Sequence, residues 1–470
     1  MSKPVCVLQS PIWTRSGYGD WALAVAKSLL RYGKFELHLA PTVWGACSKK
    51  NLDAEINDPE GKELLGRILR GPLQKQPEVF IQMTIPNEFA SPAKFNIGMT
   101  AGIETTVPRA EWIEGLNRMN VNFVTSQHAK DVFMGANYTK KNPNGTSEEL
   151  KVKTPMEVLF WGADTKIYRK TDEKVATVEE TLKTIPETFA FLFVGQWTNG
   201  NINADRKAIG HLVRTFLETF KNMDNPPCLI LKTSGAQICV MDRYECIGKI
   251  NDVTNMVKQQ TGGARLPNVY LLHGELEDPE MNALYNHEKV KVHVSFTHGE
   301  GFGHPLLLST LSGKPLLSPQ WSGHLDFLNP KYTKFFEGKL EAIPQEAIND
   351  WFVKDARWFN VDYEAAGKKM KYYFQNYDAS ILDDAEKLRA ENAEKFSLQA
   401  MDVAFHAFLD KYVPKFASEE AINLPKLKKL NLPKKVNLPA VQVGDKVHEM
   451  PPAEPSKEKT TTNTTLTAVK

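Results

Sequence analysis

Cysteine is scarce in this sequence: Cys6, Cys47, Cys228, Cys239 and Cys246 are the five in 470 residues, an odd number with no pair at metal-ligand spacing. That excludes a disulfide scaffold and a zinc module, and predicts reduced thiols in a cytoplasmic setting. Long apolar runs are missing too. No stretch approaches the ~18 apolar residues that would suggest a membrane-spanning helix, so no membrane span is expected. The opening MSKPVCVLQSPIW runs straight into a strand-like segment, without the apolar core of a signal peptide. Charge of one sign is not in excess either: 58 Lys and Arg against 56 Asp and Glu leave +2, which identifies no polyanionic partner. Asn-x-Ser/Thr triplets begin at Asn137, Asn144 and Asn463 and read as chance matches without a secretory signal.

What is present is the composition of a folded protein too long for one core: 42% apolar, 24% charged, 470 residues. The first part alternates strand-like and helix-like segments. VCVLQS, FELHLAP, EVFIQMT, KFNIGMTAG and NVNFVTS read as strands; SGYGDWALAVAKSLLRYG, EWIEGLNRM and AKDVFMGA read as turn-and-helix or helix. A second alternating series starts at TFAFLFVGQ and continues through AIGHLVRTFLETF, PCLILKTSG, NVYLLHG, MNALYNH and VKVHVSF. Strands alternating with helices imply a parallel sheet covered on both faces, and two series imply two Rossmann-like, doubly wound α/β domains. The expected organisation is a first domain over 1–165, a second over 166–395, a crossover helix over 396–416 and a flexible tail over 417–470. In the tail Asn-Leu-Pro recurs at Asn423, Asn431 and Asn437, and nine lysines face six acids. Its prolines disfavour helix and central strand, so it reads as linker-like, a solvated extension rather than a docking element.

The most informative run is SFTHGEGFGHP, 295–305, which leads into LLLSTLSGKPLL. A strand ends, a glycine-rich turn follows, and an apolar helix begins. One carboxylate, Glu300, and several backbone amides thus fall just ahead of a helix N-terminus, where free N–H groups and the helix dipole favour negative charge. Ser16-Gly17-Tyr18-Gly19 stands between the first strand and first helix, and glycine there lets the backbone approach a phosphate or sugar. Arg206-Lys207 precede the first helix of the second series, and Lys232 closes its second strand. Taken singly, each has a bland alternative: a solvated lysine, a capping glutamate, a plain turn.

Together these segments resemble the retaining GT-B glycosyltransferases of family 4. VLFWGADTKIYRK (158–170) is similar to the join between their domains, FLFVGQWTNGNINADRKAIGHLVRTF to the first strand, loop and helix of their donor domain, and LPNVYLLHGELEDPEMNALYNHEKVKVHVSFTHGEGFGHP follows their order. The likeness is detailed over 158–330 and one of pattern only over 1–150. It implies a GT-B fold, with the two domains facing across a cleft, and transfer of a hexosyl or pentosyl group from a nucleotide-sugar, a co-substrate, with no cofactor. It implies that Glu300 orients the sugar through its hydroxyls. Lys207, Arg206 and Lys232 would offer cations to the diphosphate, with Gly17 and Gly19 and the amides around Phe302, Gly303 and His304 beside it. Glu104, in the loop after KFNIGMTAG at a strand's carboxyl end, would be a third catalytic-site residue contacting acceptor or donor sugar, with a buried structural role as the alternative. Ser322, Gly323 and His324 are further candidates for cleft lining. The family's retention is explained by front-face attack, in which the leaving phosphate helps deprotonate the acceptor. No Asp-x-Asp triplet occurs, so the metal-binding motif of the other large glycosyltransferase fold is missing and no metal site is expected.

The sequence departs from the family at three places. The histidine often found in the acceptor-domain loop is not evident, with Glu104 in that neighbourhood, and two donor-domain residues differ. Leu308 stands where a second glutamate holds the nucleotide ribose, so that contact must come from elsewhere. Gln196 follows Gly195 where a basic residue is usual, leaving Arg206 to compensate. The two donor-domain departures favour a rival reading, a GT-B sugar- or nucleotide-binding protein with impaired catalysis. A third reading takes modified bases in DNA as acceptor, with the lysine-bearing tail supplying phosphate contacts. Glycan, lipid, protein and DNA base all stay open as acceptors, because sites rather than scaffolds set specificity.

Overall fold

The computed structural model describes residues 3–416, apart from 46, 51, 142–144, 199, 236–237 and 350, together with residues 465–469. The first sheet is built from β1 (Val5–Ser10), β2 (Glu36–Pro41), β3 (Val79–Met83), β4 (Phe95–Thr100), β5 (Val121–Val124) and β6 (Met156–Val158). All are parallel, in the order β2-β1-β3-β4-β5-β6. Such strands are covered on both faces, which is why VFIQM and VNFV are buried at every position rather than at alternate ones. Helix α1 (Gly17–Tyr32) starts at Ser16, whose Oγ accepts from the Gly19 amide, and stops at Gly33 in the left-handed conformation.

The second sheet comprises β7 (Ala190–Val194), β8 (Cys228–Lys232), β9 (Val269–His273), β10 (Val290–Val294) and β11 (Leu316–Leu317). Helix α2 (Ile209–Phe220) follows β7 and α3 (His304–Thr310) follows β10. An antiparallel pair, β12 (Gly338–Ala342) and β13 (Arg357–Val361), lies outside the sheet. The order is β11-β10-β7-β8-β9, all parallel. From β7 the chain winds one way to β8 and β9, then returns to place β10 on the other side of β7. The crevice of a doubly wound sheet opens at such a reversal, beyond the carboxyl ends of the two strands. Here those ends carry the loops that hold Lys207 and Glu300.

Two chain crossings join the domains and lie against each other: the Ala163 amide donates to Phe396 O (2.8 Å) and the Leu398 amide to Ala163 O (2.9 Å). Helix α4 (Ala379–Lys395) covers the second domain, and α5 (Leu398–Tyr412) packs back on the first. There Phe405 meets Phe123 edge-on at 5.9 Å and Arg31 pairs with Asp402. Residues 417–464 of the expected tail lie outside the described residues. Within the stretch expected to be mostly linker-like, Thr465–Val469 form a short strand, β14, which pairs antiparallel with β9.

Candidate functional site

The site is assembled by two loops at the reversal of the second sheet. In the loop after β7, buried Asp205 accepts from the Ile209 amide through Oδ2 (2.8 Å) and from the Lys207 amide through Oδ1 (3.3 Å). It thereby caps α2 and curls the chain back. Ala208 completes the curl with a left-handed backbone (φ 51°), a conformation that costs a residue with a Cβ about 1 kcal/mol or more. The curl aims Lys207 at the loop after β10, where its Nζ lies 2.5 Å from Glu300 Oε1. Arg206 Nη1 donates to Gly299 O (2.8 Å) and lies 3.5 Å from Glu300 Oε2, while its Nε is 3.8 Å from Glu104 Oε1.

Glu300 is 6% exposed. Burial by itself raises its pKa, but Lys207 and Arg206 outweigh burial and hold the carboxyl at about 2. It is therefore a fixed anion at neutral pH, unsuited to general-acid work and suited to accepting hydrogen bonds. Lys207 is lowered from its ordinary value, first by burial and then by Arg206, against the pull of Glu300. Asp205 moves the other way: burial lifts it to about 6, although two amides and the neighbouring cations oppose the rise.

A second turn braces Glu300 from behind. The Glu300 amide donates to Ser322 Oγ (2.8 Å), and the Gly323 amide donates to Glu300 O (2.9 Å). Ser322 holds φ 78°, ψ −161°, a region almost reserved for glycine, so strain is stored directly behind the carboxylate. His324 Nε2–H donates to Pro319 O (2.7 Å), and burial lowers its pKa. Ser322, Gly323 and His324, expected as cleft lining, are buried supports instead.

The other expected residues separate into four groups. Gly303 (φ 91°) lies close beneath Glu300: a Cβ there would stand 3.4 Å from Glu300 Cγ. The amides of Gly301, Phe302, Gly303 and His304 have no hydrogen-bond partner among the described residues. The Phe302 ring itself packs into the core against Phe327 (5.2 Å). Gly17 and His304 both meet Trp161, a residue to which the sequence alone assigns no role. The Trp161 ring stacks on His304 at 3.4 Å and lies 3.4 Å from where a Gly17 Cβ would be. Gly19 serves its own loop, since a Cβ would fall 2.1 Å from Thr14 O. Lys232 joins a different cluster. Its Nζ donates to Gly274 O (2.6 Å), burial lowers its pKa to about 8, and its charged neighbours are Glu275 and Arg15. Arg15 reaches over from the first domain to Glu275 (3.0 Å).

Asp205 and Glu300 give the folded protein opposite responses to acid. The Glu300 pKa, about 2, lies below its ordinary 4.5, so it adds stability above pH 4.5 that is lost as pH falls toward 2. The Asp205 pKa, about 6, lies above its ordinary 3.8, so the folded state takes that proton first and gains stability as pH falls from 6 to below 4. Each shift corresponds to about 3 kcal/mol. Asp205→Asn, which keeps an oxygen for capping, is expected to abolish the gain between pH 6 and 4 and leave the loss below it. Urea unfolding at a series of pH values checks this.

No protein-family model matches the sequence, and no curated protein matches it. Solved structures do. A glycosyltransferase from Rickettsia africae shares 13% identity over 88% of this chain and 100% of that one, with a TM-score of 0.57. HepE of Anabaena in complex with UDP and glucose shares 9% over 87% of this chain and 100% of that one, with a TM-score of 0.53. The fold is GT-B. Sucrose-phosphate synthase from Thermosynechococcus elongatus, at 10% identity over 87% of this chain and 99% of that one, has a TM-score of 0.54. Within the GT-B frame, the Glu300–Lys207–Arg206 cluster belongs to the second domain and faces Glu104 of the first. Among the described residues, no helix is long and apolar enough to cross a membrane.

Proposed function

We propose that the protein is a retaining glycosyltransferase that takes its sugar from a uridine diphosphate donor. One observation carries the reading: a buried carboxylate held ionised between two cations at the crevice of the second sheet. Structural likeness to HepE, which binds UDP and glucose, supports the choice of nucleotide.

In this reading Lys207 keeps one N–H on Glu300 and turns the other two toward the diphosphate, while Arg206 presents its remaining donors beside it. The amides of Gly301 to His304 add fixed dipoles. Glu300 accepts from the sugar hydroxyls and holds the ring for attack. The bond between the anomeric carbon and the phosphate oxygen breaks with its electron pair going to UDP. The acceptor oxygen bonds to the same face of that carbon, and its proton passes to the departing phosphate. Charge on the leaving group is met by Lys207 and Arg206, so no divalent ion enters the scheme. A reduced cytoplasmic setting accords with the five free thiols.

Release of UDP from UDP-glucose, UDP-galactose and UDP-N-acetylglucosamine, followed by a coupled assay, tests the proposal. The expected result is slow hydrolysis of at least one donor by the native protein. The rival reading, nucleotide binding without transfer, draws on Leu308, which is buried in the apolar cluster around Phe302 and offers the ribose no oxygen. UDP binding with no turnover of any donor decides for that rival.

A further inference from the structure

The two domains also share an aromatic surface that the donor chemistry does not use. Trp351, between β12 and β13 of the second domain, is 44% exposed yet reaches the first domain. Its ring lies 6.4 Å from that of Trp44, tilted, and 6.3 Å from that of Trp112, edge-on. Trp44 is half-buried and stacks on Tyr18 at 4.0 Å. The Tyr18 hydroxyl accepts from the Ala101 amide (2.9 Å) and shares a hydrogen bond with Thr100 Oγ1 (2.9 Å). Ala101 O in turn lies 2.5 Å from where a Gly301 Cβ would be, directly after Glu300. One ring and one loop therefore separate Trp44 from the proposed reacting centre, and Glu104, with its side chain 31% exposed, lies in that same loop.

We infer that Trp44 and Trp351 form the acceptor platform, and that the acceptor is a neutral saccharide whose ring stacks on the indoles. The inference rests on the glycosyl-transfer reading for its chemistry. A pyranose ring has an apolar C–H face matching the dispersion and negative face of an indole, and hydroxyls around its rim. Glu104 is placed to accept from such a rim. Rigid aromatic rings also give contact area at small entropic cost. Of the cations on the adjoining segments, Lys50 and Arg109 are paired with Asp20 and Glu111, whereas Lys49, Lys354 and Arg357 have no ion pair among the described residues. A nucleic acid, whose phosphates need such cations, is therefore the competing occupant that the experiment separates from a saccharide.

The test is binding by the full chain, read by saturation-transfer NMR and calorimetry. The probes are maltotriose, cellotriose and chitotriose, with a single-stranded oligonucleotide carrying 5-hydroxymethylcytosine as comparison. UDP affinity is measured separately, so that failure of the donor reading shows there and not here. The expected result is binding of at least one trisaccharide by the native protein. It weakens at least tenfold in Trp351→Ala and Trp44→Ala and largely recovers in Trp351→Phe, with UDP affinity and melting temperature unchanged. Three results overturn the inference: no trisaccharide binds, the oligonucleotide binds in their place, or Trp351→Ala weakens UDP and saccharide equally. The last would make Trp351 a domain-closing contact only.

Discussion

Glu300→Gln is expected to lower donor turnover by about 10²- to 10³-fold while leaving UDP affinity equal or slightly tighter. Glutamine matches glutamate in volume, so the pocket keeps its shape. What goes is the negative charge, 2.5 Å from Lys207 and 3.5 Å from Arg206, which fixes both cations and takes the sugar's hydroxyls. With it gone the ring is no longer oriented, yet the cations remain free to meet phosphate. Stability falls as well. Removing one member of a buried ion pair costs about 3–5 kcal/mol, and Glu104, 3.8 Å from Arg206, recovers part of it. Chemical unfolding and UDP release on the same preparation separate the two effects. Unchanged turnover in a less stable protein would reduce Glu300 to a structural counter-ion.

Gly299→Ala is expected to cost at least about 10²-fold in turnover without unfolding either domain. A Cβ at this position would lie 1.9 Å from Glu104 O, well inside van der Waals contact, and that oxygen belongs to the facing domain. The clash is relieved only if the domains part or the loop carrying Glu300 shifts. Each domain has its own core, around Phe216 and Leu231 in one and Ile81 and Phe123 in the other, and neither is touched by the change. X-ray scattering should show a more open particle, whereas melting should change little. Gly248→Ala is the control. It sits in the helix Val240–Gln260 with nothing within 4 Å of the added carbon, and should be neutral or slightly stabilising.

Much of this was legible in the residues. Continuous apolar runs such as AFLFV and CLIL, each followed by a glycine-bearing loop and a helix, require parallel strands, and two such series require two sheets. Lys207 and Glu300 are 93 residues apart, yet each lies in the loop that follows a strand of the reversal, which is why both could be singled out. Less visible was what holds them. Nothing marks a serine as adopting φ 78°, so Ser322 read as lining when it is a brace. Trp161 showed only as part of the domain join, because its partners, Gly17 and His304, come from different domains and lie far apart in sequence. Lys232 ends a strand like Lys207's neighbour, but the next loop over supplies Gly274 O, and the lysine turns there. The strand Thr465–Val469 depends on a pairing with Val269–His273 that no local pattern announces.

The central claim is that the donor's diphosphate lies on Lys207 and Arg206 with its sugar on Glu300. A crystal structure of the protein soaked with a UDP-sugar tests it most directly. The account predicts phosphate oxygens within about 3 Å of Lys207 Nζ and a sugar hydroxyl at the same distance from a Glu300 carboxylate oxygen. A nucleotide bound elsewhere, with the Lys207–Glu300 pair closed and untouched, would contradict it.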